Sequence, residues 1–239
     1  MLYTALLIDI VAIVITGKLF QASKSTRVFE VISQIFAALI VIMMGKLEVS
    51  YINLGNLNLI ELGYLTIPFT LLLLISLSNV MNVEKVQNNS ILLLPFVSFI
   101  CFSLSAFFTG DPFVLNTGIC ACLTIIMILL LGYFSGKVIV GRTLTTLIGF
   151  VIAVLSTSLI LASMAAIYIP IFTLALPLTV HNYLQDILPS KQSTTVSSLT
   201  AMLFGVLLFI IPSNFLWILL VGFMILLAIM QIPRKYRFI

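Results

Sequence analysis

The sequence predicts an all-α integral membrane protein, a polytopic bundle of about nine transmembrane helices forming one domain over residues 1–239. Three observations carry that prediction. Apolar residues make up 62% of the chain and charged residues 8%, against about 45–50% and about 25% in soluble proteins. Apolar runs near the ~20 residues that cross a bilayer recur along the whole length. The few basic residues fall almost entirely in alternate loops, as the positive-inside rule requires.

The runs lie at 2–17, 30–45, 63–81, 90–109, 114–132, 143–161, 164–184, 196–211 and 214–231. Gly45, Asp111-Pro112, Pro189 and Pro212-Ser213 punctuate their ends, since proline removes a backbone donor and clashes with the preceding turn. Pro68, Pro95, Pro170 and Pro177 fall within runs, where membrane helices tolerate them if neighbours satisfy the freed carbonyl. The N-terminal segment MLYTALLIDIVAIVITG lacks a basic leader and a small-residue cleavage site, so it is expected to be a retained span.

With the N-terminus outside and the C-terminus inside, ten of the eleven basic residues lie on the inner side and only Lys46 lies outside. The net charge of +4 is therefore an orientation signal, and no nucleic-acid footprint is expected. The outer loop LEVSYINLGNLNLIELGYL alternates apolar and polar residues around Gly55-Asn56, which predicts a small outer hairpin. Cys101, Cys120 and Cys122 lie in apolar runs without metal-ligand spacing and read as core thiols. Nothing matches a P-loop, a zinc site or a Ser/His/Asp set. His181 is expected at the interface, and Trp217 as an interfacial anchor.

The polar chemistry gathers in the inner loops 18–29, 79–89, 133–142 and 185–195. Asn79 and Asn82 are one helical turn apart and share a face. They serve either as caps that tie the third span to its neighbours or as a polar binding site. Within the spans, Asp9 and Gln34 stand out. An intramembrane ionisable group is a functional candidate by default, while a simple pairing inside the bundle is the competing account for Asp9. For Gln34 a helix–helix hydrogen bond is the structural account.

Residues 17–178 resemble the membrane-embedded prenyl-phosphate sugar-1-phosphate transferases (glycosyltransferase family 4), which include the phospho-N-acetylmuramoyl-pentapeptide transferases and UDP-GlcNAc:undecaprenyl-phosphate GlcNAc-1-phosphate transferases. Gln34 to Asn82 is similar to the family's approach to its Asn-x-x-Asn motif. KVIVGRTLTTLIGF, from Lys137, resembles Lys-Val-Phe-Met-Gly-Asp-x-Gly-Ser-x-x-x-Gly-Phe and keeps Lys137, Gly141, Gly149 and Phe150. Ile169 to Leu178 looks like the late helix that ends in Pro-Leu-Asp.

The resemblance implies a bacterial inner-membrane protein of envelope polysaccharide synthesis with its polar site on the cytoplasmic side. In the family, magnesium assists phosphoryl transfer from a nucleotide sugar to undecaprenyl phosphate, and carboxylates hold the ion. This chain departs from that pattern at each position. Phe20 and Gln21 align on the first aspartate pair. Lys85, Val86, Gln87, Asn88 and Asn89 align on Asp-Gly-x-Asp-Gly. Arg142 aligns on the aspartate of Gly-Asp-x-Gly-Ser, and Thr179 on that of Pro-Leu-Asp. The histidine-rich loop and the helices before the first motif have no counterpart.

The expectation is thus a non-catalytic protein without a metal cofactor. Lys18, Lys85, Lys137 and Arg142 would bind a lipid phosphate directly, because guanidinium forks onto phosphate; the competing account is nonspecific contact with membrane lipids. Undecaprenyl phosphate, envelope-assembly proteins and a second copy in a homodimer are the partners implied. Two other readings stand beside it. One is an active magnesium-dependent phospho-N-acetylhexosamine transferase with relocated ligands, for which Glu84, Asp186 and Glu30 are the inner-side acids. The other is a transporter on the same scaffold, with Asp9 as its clue.

Overall fold

The computed structural model describes residues 1–20, 26–53, 59–81, 89–136, 140–162, 164–185, 188–212, 215–223 and 225. Its long elements are α1 (Leu2–Phe20), α2 (Thr26–Gly45), α3 (Thr66–Asn79), α4 (Leu93–Thr109), α5 (Pro112–Ser135) and α6 (Arg142–Ala162). A short α7 (Tyr168–Pro170), α8 (Leu176–Leu184) and α9 (Ser190–Ile210) come next, then a helical stretch over 215–223. Each of the nine apolar runs corresponds to one helical segment. Among the described residues four segments are long and apolar enough to cross a membrane: Asn89–Thr109, Pro112–Ser135, Arg142–Ile160 and Gln192–Ile210.

Between α2 and α3 lies an antiparallel hairpin of β1 (Tyr51–Asn53) and β2 (Leu59–Glu61), in the register Tyr51↔Glu61, Ile52↔Ile60 and Asn53↔Leu59. The expected Gly55-Asn56 turn lies outside the described residues. The hairpin is fastened to the bundle by its approach strand, where the buried Val49 donates its N–H to Thr70 Oγ1 of α3 at 3.0 Å.

The prolines expected inside spans lie within the helical segments, at points where the helix changes pitch. Pro68 and Pro95 are the third residues of α3 and α4, each preceded by a 3₁₀ turn, Gly63–Leu65 and Asn89–Leu92. The first turn of a helix has no intrahelical use for the missing N–H, so proline costs little there. Pro170 ends α7 and Pro177 is second in α8, bracketing a π-helical turn at Ile171–Ala175.

The Asp111-Pro112 boundary behaves as predicted, and its chemistry is explicit. Gly110 closes α4 with a left-handed φ of 76°, a conformation glycine adopts without a Cβ penalty. Asp111 then caps α5, its Oδ1 accepting from Phe113 N at 2.9 Å and Val114 N at 3.2 Å. Its Oδ2 accepts from Ser158 Oγ of α6 at 3.2 Å, so one side chain joins a cap to a neighbouring helix.

Helix α6 is the axis of the bundle. In its apolar window 78% of residues are buried, against 17% for α5, whose outer face carries Ile119, Leu123, Met127, Leu131 and Phe134. In an apolar solvent, helices gain little from hiding leucines from one another, and association depends on close packing around small residues. Gly149 of α6 lies against the Ser78 carbonyl of α3, and Gly17 of α1 against Thr143 of α6. At the opposite end Tyr3 Oη donates to Pro112 O at 3.2 Å, close to where Ser158 meets Asp111. Helices α1 and α6 are therefore antiparallel. A second apolar cluster, with Phe172 and Phe204 ring centroids 5.5 Å apart and Phe204 and Phe223 4.9 Å apart, attaches the 215–223 stretch to α9 and the π turn.

Candidate functional site

Two polar regions stand apart: one end of the bundle, and the interior seam between α1 and α2. The contact of Gly17 with Thr143 puts the next residue on α1, Lys18, and the preceding residue on α6, Arg142, at the same end. Lys18 is exposed and Arg142 half-buried. Helix α6 begins here, with Gly141 O accepting from Leu144 N and Thr145 N, both at 3.1 Å. The positive end of its backbone dipole thus adds to the two cationic side chains. Lys85, Lys137 and Asn82 lie outside the described residues.

Asn79, at the last residue of α3, is half-buried and donates Nδ2–H to Ile75 O of its own helix at 3.0 Å. That bond serves the helix end and favours the structural account of this amide. Gly149 and Phe150, kept from the transferase-like motif, both pack: Gly149 carries the α3 contact and Phe150 is 1% exposed.

Between the last turns of α5 and the 3₁₀ turn before α4 opens a cleft of about 450 Å³ that the sequence did not reveal. Ile126, Leu129 and Leu130 form its wall, while Asn89, Ser90 and Tyr133 stand at its lip. The Asn89 side chain lies directly on Gly132, where any Cβ would displace it. An apolar wall with an amide and a hydroxyl at the rim suits an amphiphile.

Asp9 and Gln34 are each fully buried, and no side-chain polar atom of either has a hydrogen-bond partner among the described residues. Among the described residues, the helix–helix bond expected for Gln34 is not made and Asp9 has no partner.

A third constellation surrounds His181, which is 3% exposed and enclosed by the protein. Gln185 Nε2 donates to His181 Nε2 at 2.9 Å, so that nitrogen is the acceptor and Nδ1 carries the proton. His181 Nδ1–H then donates to Ser193 Oγ at 2.8 Å, and Ser193 Oγ–H donates to His181 O at 3.1 Å. The serine proton is committed to a carbonyl, so this arrangement clasps α8 to α9 and does not activate a nucleophile. The i, i+4 spacing of His181 and Gln185 was the available sequence signal; the partner Ser193 lies beyond the Pro189 turn. Of the thiols, Cys101 is buried as expected, whereas Cys120 is exposed. Among the described residues no three His, Cys, Asp or Glu side chains converge on one point.

Compared with known proteins, the chain matches no family model and no curated protein sequence.

Proposed function

We propose that this chain is a multi-pass protein of a bacterial inner membrane, N-terminus outside and C-terminus inside, whose basic end binds the head group of a prenyl-phosphate lipid without metal-dependent sugar-phosphate transfer. The observation that carries the reading is the Gly17–Thr143 contact, which brings Lys18 and Arg142 to one end of the bundle. Two fixed cations and the α6 N-terminus favour a phosphate there. The cleft at the end of α5 offers an isoprenoid chain an apolar wall and an amide-bearing lip.

In this reading Arg142 takes the position from which the transferase family contributes an aspartate, and a cation site becomes an anion site. Guanidinium presents a planar pair of donors to two phosphate oxygens, and the ammonium of Lys18 supplies a second charge. A positive surface of this kind also suits anionic membrane lipids generally, so specificity is the point to test.

Binding of radiolabelled undecaprenyl phosphate to the purified protein decides. The Lys18→Ala/Arg142→Ala variant is expected to bind about tenfold or more weakly, the loss of at least one charge-assisted contact. Unchanged binding rejects the site. Incubation with UDP-GlcNAc and undecaprenyl phosphate, with and without magnesium, is expected to give no lipid-linked product. Turnover abolished by chelator would favour the active transferase with relocated ligands instead.

A further inference from the structure

Two glycines seat α5 on the segment before it. Gly118 lies against Ser103 Oγ of α4, and Gly132 against the Asn89 side chain. The two contacts are fourteen positions apart on both segments, so one antiparallel register holds over about 21 Å. On one side of this seam two clefts lie end to end. The first is the cleft of about 450 Å³ at the end of α5. The second, of about 370 Å³, opens between Ile100, Leu104 and Phe107 of α4 and Ile119 and Leu123 of α5, with half-buried Ser103 and Cys122 in its wall. Along α5 the residues Ile119, Cys122, Leu123, Ile126, Leu130 and Tyr133 step by three and four, which puts both clefts on one helix face. The register sets half-buried Phe96 of α4 level with Ile125, where the clefts meet.

The resulting trough is apolar along its length and polar at one end, where Asn89, Ser90 and Tyr133 stand. Ser103 does not change that, because its hydroxyl donates to Phe99 O of its own helix at 2.9 Å. Among the described residues no charged side chain lines either cleft. In a membrane-embedded chain this face meets lipid. One row of α5 side chains and one row of α4 side chains make the walls, so the trough has the width of a single hydrocarbon tail. The glycine contacts fix it at both ends before an occupant arrives, and a preformed concavity binds at lower cost than a surface that must first be shaped.

We propose that the α4–α5 trough binds a lipid with one hydrocarbon tail. Its oxygen-bearing head rests at Asn89, Ser90 and Tyr133, and its tail runs past Ile126 and Leu123 toward Phe107. A two-tailed membrane lipid would leave its second chain outside. The proposal rests on the lipid reading above for the use of the first cleft, and an uncharged probe lets the two fail separately.

The test is photolabelling of the full purified chain in phosphatidylcholine nanodiscs, read by peptide mass spectrometry. The probe is a long-chain primary alcohol with a diazirine in the far half of its tail. The comparison is phosphatidylcholine with the same diazirine in one of its two tails. Labelling at 100–107 and 119–123 is measured relative to Leu199, Leu203 and Val206 on the exposed face of α9. This ratio is expected to be severalfold higher for the alcohol. Ile126→Trp, at an exposed position midway along the trough, is expected to lower the alcohol's ratio severalfold. Leu130→Trp, exposed in the same row, serves if Ile126→Trp does not fold. Equal ratios for the two probes, or a ratio unchanged by the tryptophan, would mean ordinary contact with membrane lipid and overturn the proposal. Lys18→Ala/Arg142→Ala is expected to label as the wild type does, since the alcohol carries no phosphate. Lost labelling there would tie the signal to the basic end and overturn the trough.

Discussion

Gly149 of α6 lies so close to the Ser78 carbonyl oxygen of α3 that the two backbones touch where a side chain would otherwise begin. The nearest obstacle to a Cβ is main chain, which cannot rotate aside. Gly149→Ala should force the two helices apart and cost about 1–3 kcal/mol, the range for overpacking a core. Gly141→Ala is the control, because nothing lies within 4 Å of its Cβ position. Detergent unfolding of both variants checks this, and equal stability would refute a close helix contact at Gly149.

Ser98 of α4 and Thr173 of the π turn share a hydroxyl–hydroxyl hydrogen bond of 2.7 Å in the buried interior. Each has a second outlet, since Ser98 Oγ reaches Leu94 O at 3.3 Å and Thr173 Oγ1 reaches Ile169 O at 2.6 Å. A double-mutant cycle with Ser98→Ala and Thr173→Val should therefore show a small coupling, about 0.6 kcal/mol, as polar contacts between membrane helices average. A coupling above about 2 kcal/mol would mean the back-bonds to the main chain are not available as substitutes.

Ser193→Ala removes both the acceptor for His181 Nδ1–H and the donor to His181 O. A loss of about 1–2 kcal/mol is expected, because the buried imidazole N–H is left unmet, while His181 O keeps the Gln185 N–H at 2.9 Å. The committed serine proton carries a second expectation: a fluorophosphonate probe should leave Ser193 unlabelled. Labelling at Ser193 would show that the clasp is a nucleophile after all.

Asp111→Ala should cost about 1–2 kcal/mol through the lost cap of α5. Asp111→Asn, which keeps an oxygen acceptor for Phe113 N, should recover most of it. Comparable loss in the two variants would mean that the bond from Ser158, rather than the cap, holds this corner.

Orientation is checked by labelling with a membrane-impermeant thiol reagent in a background lacking the three native cysteines. Ser50→Cys, before the hairpin, should react in intact cells. Ser135→Cys, near the end of α5, should react only after permeabilisation. The reverse pattern would invert the assigned topology and place the basic end outside.

Most of the element plan was legible because its signals are local. Nine apolar runs, the Asp111-Pro112 boundary and the alternating stretch before Glu61 each rest on neighbouring residues, and each has a counterpart in the structure. The prolines fall within the helical segments as expected, but run length does not show the 3₁₀ turns that precede Pro68 and Pro95. The site was legible only in part. Asp9 and Gln34 are conspicuous in an apolar chain, but whether they find partners depends on helix register, which no window of sequence contains. That His181 is enclosed by protein was not legible, because Ser193 is twelve positions away across a turn. The cleft beside Tyr133 was hidden for the same reason, since its wall and its lip come from separate segments.

The π turn at Ile171–Ala175 has a consequence for how the chain tolerates change. A wide turn of this kind accommodates one residue more than an α-helix does over the same height. Removing Ala175 should let the backbone contract into ordinary α-helix while α8 keeps its facing, so that His181 still meets Ser193. Removing a residue within α8 itself, such as Val180, has no such slack to draw on. It would swing the downstream residues by about 100°, turning the imidazole away from α9. The bulge is in this sense a dispensable insertion, one the helix has absorbed without losing its aim.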